Sequence, residues 1–99
     1  MLDSTTTNRR LHPDRDLVAR MVTKDGAALD ELLARHERTA YAVAIGILPD
    51  PTRAERAVSQ AFLEAFCQAE RYVPGELTVL AWLTSLTRRH AEAIAAVRS

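Results

Sequence analysis

Three arginines and a histidine crowd the C-terminal end of this chain: Arg88, Arg89 and His90 in a row, then Arg98. Cationic side chains with long reach suit a phosphate backbone, and such contacts carry no base information. Further back, Arg71 and Tyr72 adjoin just before Pro74-Gly75, a pair that marks a loop. Taken alone, the tyrosine suits a closing role at a helix–helix corner, and Glu92 stands one helical turn from Arg88 to offset its charge. Catalysis finds little to work with. His12, His36 and His90 are scattered, and His36-Glu37 and His90-Ala91-Glu92 lack the two-turn spacing of a helical metal site. Cys67 has no sequence context for a nucleophile, and there is no glycine-rich phosphate loop. The expectation is a binding protein, not an enzyme, with no metal and no cofactor.

Ninety-nine residues allow one small domain with a single core. Apolar residues make up 47% of the chain, too many for a disordered polypeptide, and much of that is alanine. Aromatics are only 5%, so the composition favours helices over sheets. Thirteen Lys and Arg balance thirteen Asp and Glu. That neutrality counts against strong autonomous DNA binding but leaves room for a local basic patch. The lone Cys67 cannot form an internal disulfide, which suits a reducing compartment. No run approaches the roughly 18 apolar residues of a membrane span. Arg9-Arg10 is followed by no apolar segment that would make a secretory or twin-arginine signal. A cytoplasmic location with no membrane contact is expected.

The elements that must position these side chains follow from apolar spacing. Residues 1–13 are polar and aperiodic and are predicted to be a mobile tail; residues 14–99 form the domain. Asp14 or Asp16 can cap a short helix with Leu17, Val18, Met21 and Val22 on its apolar edge. Lys24-Asp25-Gly26 ends it, with Gly26 suited to a left-handed backbone. A long helix over 27–48 carries Leu29, Leu32, Leu33, His36, Ala40, Val43, Ala44, Ile47 and Leu48 on one face until Pro49 stops it. Asp50-Pro51 starts the next helix, with Thr52 and Glu55 as a competing capping box. Its stripe is Ala54, Val58, Ala61, Phe62, Ala65 and Ala69, and it is predicted to reach about Arg71. Arg53, Arg56, Ser59, Gln60, Glu64 and Gln68 point elsewhere.

After a loop over 72–76, Thr78 caps the last helix, whose stripe is Val79, Leu83, Leu86, His90, Ile94 and Val97. Its histidine, like His36, is read as a satisfied core or boundary residue. Trp82 should be half-buried beside that stripe, its ring nitrogen reaching a polar partner. The fold class is therefore all-α: a compact bundle of three main helices plus a short N-terminal one.

Three stretches together, AERAVSQAFLEAF over 54–66, RYVPGE over 71–76 and AWLTSLTRRHA over 81–91, resemble region 2 of bacterial RNA polymerase sigma factors of the extracytoplasmic-function type. The resemblance spans roughly Asp14 to Arg98. It implies a sigma region 2-like bundle whose third helix docks on the β′ clamp helices of core RNA polymerase through Glu55, Arg56, Ser59 and Gln60. Arg56, Ser59 and Gln60 stand where that family usually has Asp, Gln and Glu. The resemblance also implies that the loop over 70–77, with Arg71 and Tyr72, receives a base flipped out of the −10 promoter element. Arg88, Arg89 and Arg98 would then contact the promoter backbone. Arg89 replaces a frequent Asn, and Ala96-Val97 replaces a basic pair.

The function implied is transcription initiation: binding core polymerase and helping to recognise and open the −10 element. The second domain that reads the −35 element in such factors is not in this sequence, so the chain is expected to be either a fragment or a single-domain relative. The competing expectation is a sigma-like interaction module that binds an anti-sigma factor or pairs with itself, without promoter activity.

Overall fold

The computed structural model describes residues 13–97. It contains helices α1 (Asp14–Val22), α2 (Gly26–Ile47), α3 (Pro51–Cys67) and α4 (Val79–Ala96), with a single 3₁₀ turn at Ala69–Arg71. The architecture is all-α, with no strand among the described residues. The predicted tail lies outside the described residues except for Pro13, and so does Arg98.

Each boundary has a local cause. Asp50 accepts from the backbone N–H of Thr52 at 3.0 Å and Pro51 opens α3, so the Thr52–Glu55 box is not used. Thr78 accepts from Ala81 N–H at 3.0 Å and starts α4. At the first turn between helices the expectation is corrected. Lys24, not Gly26, takes the left-handed backbone, with φ 66°, and Gly26 is the first residue of α2. The reason is Asp25: its carboxylate caps Ala27 N–H and takes Arg20 Nε at 2.8 Å, which fixes the helix start one residue before the glycine can act as a stop. No side chain caps α1 either. Pro13 occupies the cap and Asp14, the first helical residue, directs its carboxylate to α2.

α3 packs against both α2 and α4, and those two also meet; α1 lies on α2 and on the 3₁₀ turn. The α3 face toward the core is nearly all alanine. Ala54, Ala57, Ala61 and Ala65 are fully buried, with Phe62 as the one large side chain among them. Small residues there let neighbouring helices approach closely, and Leu17, Met21, Leu32 and Leu83 fill the space around them.

The stripes differ from expectation at their ends. Val97 is 71% exposed and Val22 45% exposed, because each stands at or past its helix's last turn, beyond the reach of a neighbour. Thr87 is fully buried instead, its hydroxyl donating to Leu83 carbonyl at 2.8 Å so that no polar group is left unmet. α3 also ends at Cys67, short of Arg71. Gln68 leaves the helical basin, and the Lys24 ammonium takes the carbonyls of Phe66 and Cys67, each at 3.2 Å. Arg53 does not point to solvent: its guanidinium donates to the Ile94 carbonyl at 2.8 Å, tying the start of α3 to the end of α4.

Candidate functional site

Two surfaces gather the side chains singled out above. The first is the outer face of α3. Because the inner face is the alanine stripe, Glu55, Arg56, Ser59 and Gln60 are turned to solvent, and all four are exposed. None of these side chains makes a hydrogen bond or ion pair among the described residues. Beside them an open groove of about 670 Å³ runs between α2 and α3, lined by Leu33, Glu37, Arg38 and Tyr41 on one wall and Glu55, Val58 and Ser59 on the other. One turn further along α3, Leu63 is 59% exposed. The surface thus pairs a partly apolar floor with charges of both signs, which is the make-up of a protein-docking face more than of a phosphate track.

The second surface is the junction of α3, the 3₁₀ turn and α4. Glu64 on α3 is gripped by consecutive residues of α4. Arg89 Nη2 lies 2.9 Å from its Oε2, and His90 Nε2 lies 2.6 Å from its Oε1. Arg89, then His90, hold the Glu64 carboxyl below its ordinary range, against a desolvation that pushes the other way. Next to this clamp, a cavity of about 120 Å³ is lined by Glu64, Gln68, Arg71, Trp82, Leu86 and Arg89. Gln68 Oε1 is buried there with no hydrogen-bond partner.

The aromatic pair Tyr72–Trp82 stands at the loop, ring centres 5.2 Å apart and tilted by 44°. Trp82 is half-buried as expected, but its ring nitrogen makes no hydrogen bond among the described residues; it is used as a packing surface. Tyr72 donates its hydroxyl to the Leu77 carbonyl at 2.7 Å and so closes the loop on itself. Gly75, with φ 96°, makes the reversal inside that loop.

The expected DNA-contacting residues are therefore placed unequally. Arg71 and Arg89 line one cavity, Tyr72 borders it through Trp82, and Arg88 is exposed with no ion pair to Glu92 or to any other of the described residues. Arg98 lies outside the described residues.

A third cluster was not anticipated. Asp14 is held by Arg35 Nη1 at 2.8 Å and His36 Nε2 at 2.6 Å, and Arg35 also takes Glu31 at 3.1 Å. Burial disfavours the charged guanidinium, yet Asp14 and Glu31 hold Arg35 above its ordinary range. The arrangement repeats the Glu64 clamp: in each, an Arg-His dipeptide on one helix grips a carboxylate from an earlier helix. The repeated dipeptides at 35–36 and 89–90 were the available signal, since adjacent helical residues can flank one acceptor.

Among the described residues, no group of three or more His, Cys, Asp or Glu side chains could hold a metal ion, and no helix is long and apolar enough to cross a membrane. No family model, no curated protein and no solved structure matches the chain.

Proposed function

We propose that this chain is a sigma region 2-like domain that docks on core RNA polymerase through the outer face of α3 and helps to engage the −10 promoter element. The observation that carries the reading is the state of Glu55, Arg56, Ser59 and Gln60: a contiguous, exposed band with no internal partner, bordering a groove with an apolar floor. Arg53 and Glu64 of the same helix are held internally, which leaves this band as the polar part of α3 open to a partner. In this reading the β′ clamp helices lie along that band, beside the groove between α2 and α3. The DNA-directed part of the reading rests on Arg71, Arg88 and Arg89 around the Tyr72–Trp82 pair. Such a domain acts in the cytoplasm, where the polymerase is.

The test is retention of purified core polymerase on the immobilised chain, with Arg56→Asp beside it. If the partner surface is basic there, reversing this charge should tighten binding by about three- to tenfold. Absence of retention by either protein overturns the reading. A second reading, an interaction module for an anti-sigma factor, is favoured by one observation. Arg89, a residue the DNA reading needs, already satisfies an internal carboxylate. Capture of an anti-sigma protein without capture of polymerase would select it.

A further inference from the structure

The Arg89 contact does more than join two helices. Arg89 keeps 60% of its side chain exposed while touching Glu64 through Nη2 alone, and a guanidinium has five N–H donors. Most of those donors therefore remain open, and Arg71, which lines the same cavity, is exposed and makes no hydrogen bond or ion pair among the described residues. Two guanidinium groups therefore line one cavity, a pairing whose chemistry suits a phosphate. Glu64 lines the same cavity, only 23% exposed and held by His90 at 2.6 Å as well as by Arg89, so its carboxylate stays beside any anion bound there. A phosphate entering there gains two cations and meets one fixed carboxylate.

We infer that Glu64 is a built-in counter-ion that weakens the grip of Arg71 and Arg89 on single-stranded DNA phosphate. The inference rests on the DNA-directed part of the function proposed above and adds its regulation. Its consequence is that the domain alone holds a single strand weakly, and engages it firmly only when a second anchor, such as docking through α3, keeps it in place. Glu64 is a positioning residue: it acts on DNA through Arg89.

Glu64→Gln is the discriminating variant, because glutamine keeps the shape and can still accept from Arg89 while losing the charge. The measurement is fluorescence anisotropy of a short A/T-rich single-stranded oligonucleotide with the full chain, at a series of salt concentrations. Glu64→Gln should bind about five- to tenfold tighter at low salt, and the slope of log K against log salt should steepen by about 0.7, the value for one more neutralised phosphate on a single strand. Adding Arg89→Ala should abolish both gains. Circular dichroism of each variant confirms that it is helical.

A helical Glu64→Gln with unchanged affinity and slope overturns the inference. If wild-type binding nevertheless falls on Arg71→Ala, the DNA reading survives while the counter-ion role does not. If neither wild type nor variant binds the oligonucleotide at low salt, the DNA reading itself fails and the counter-ion role falls with it. The wild-type chain gives a second readout: the Arg89 and His90 side-chain NMR resonances should shift together as oligonucleotide is added, and resonances unmoved at saturation overturn the inference.

Discussion

Replacing Asp14 by alanine tests whether the clamp between α1 and α2 carries stability. Asp14 makes contacts of 2.8 Å to Arg35 and 2.6 Å to His36. Its side chain is 27% exposed and that of Arg35 19%, so the pair sits between a surface bridge and a buried one. An exposed bridge contributes about 0–1 kcal/mol, whereas breaking a buried one costs about 3–5 kcal/mol. Arg35 keeps Glu31, so its charge is not stranded when Asp14 goes. The loss of a carboxylate from the first turn of α1 adds a few tenths of a kcal/mol from the helix dipole.

Together these place the cost near 2 kcal/mol, which for a domain of this size lowers the melting temperature by roughly 10 °C. Thermal and urea melts followed by circular dichroism supply the measurement. Asp14→Asn, which keeps one acceptor but no charge, should lose about half as much. A double-mutant cycle with Arg35→Met isolates the pair, with an expected coupling of about 1 kcal/mol. A shift below about 2 °C for Asp14→Ala would mean that the contacts merely decorate a helix already held by Leu17, Val18 and Met21.

Two further outcomes follow from the core and from the second clamp. Phe62, 2% exposed among fully buried alanines, cannot be compensated by small neighbours, so Phe62→Ala should cost about 3–5 kcal/mol in urea unfolding; a loss under 1 kcal/mol would show a core that collapses into the gap. The Glu64 carboxyl is held below its ordinary 4.5, chiefly by Arg89. A lowered folded value means stability that is present above about pH 4.5 and lost as pH falls through the folded value. The stability difference between wild type and Glu64→Gln should therefore shrink on acidification below about pH 4.5. Melts across that range check it, and a difference that stays constant to about pH 3 refutes the assignment.

Much of the bundle was legible from short-range rules. The apolar stripe of α3 came out of three- and four-residue spacing, and Asp50-Pro51 and Thr78 marked helix starts because capping is settled within one turn. The misreadings share a different cause. Gly26 was the obvious left-handed candidate, but Asp25 had two donors to satisfy and moved the reversal to Lys24. Thr87 lay outside the predicted stripe, and its burial depends on the hydrogen bond from its hydroxyl to the Leu83 carbonyl. Arg53, Lys24 and the two Arg-His clamps all reach acceptors on distant segments. No spacing rule can see a pairing such as Glu64 with His90, which only tertiary packing creates.

Those long-range pairings decide how the surfaces divide. Lys24, Arg35, Arg53 and Arg89 hold carboxylates or helix-end carbonyls, so much of the chain's positive charge goes to fastening α1 to α2, and α3 to its neighbours. Arg56, Arg71 and Arg88 hold nothing among the described residues. A domain fastened this way is suited to present the α3 face as a rigid docking surface. The counter-ion role inferred for Glu64 is consistent with that division, since it leaves Arg71 as the one cavity arginine without a carboxylate among the described residues.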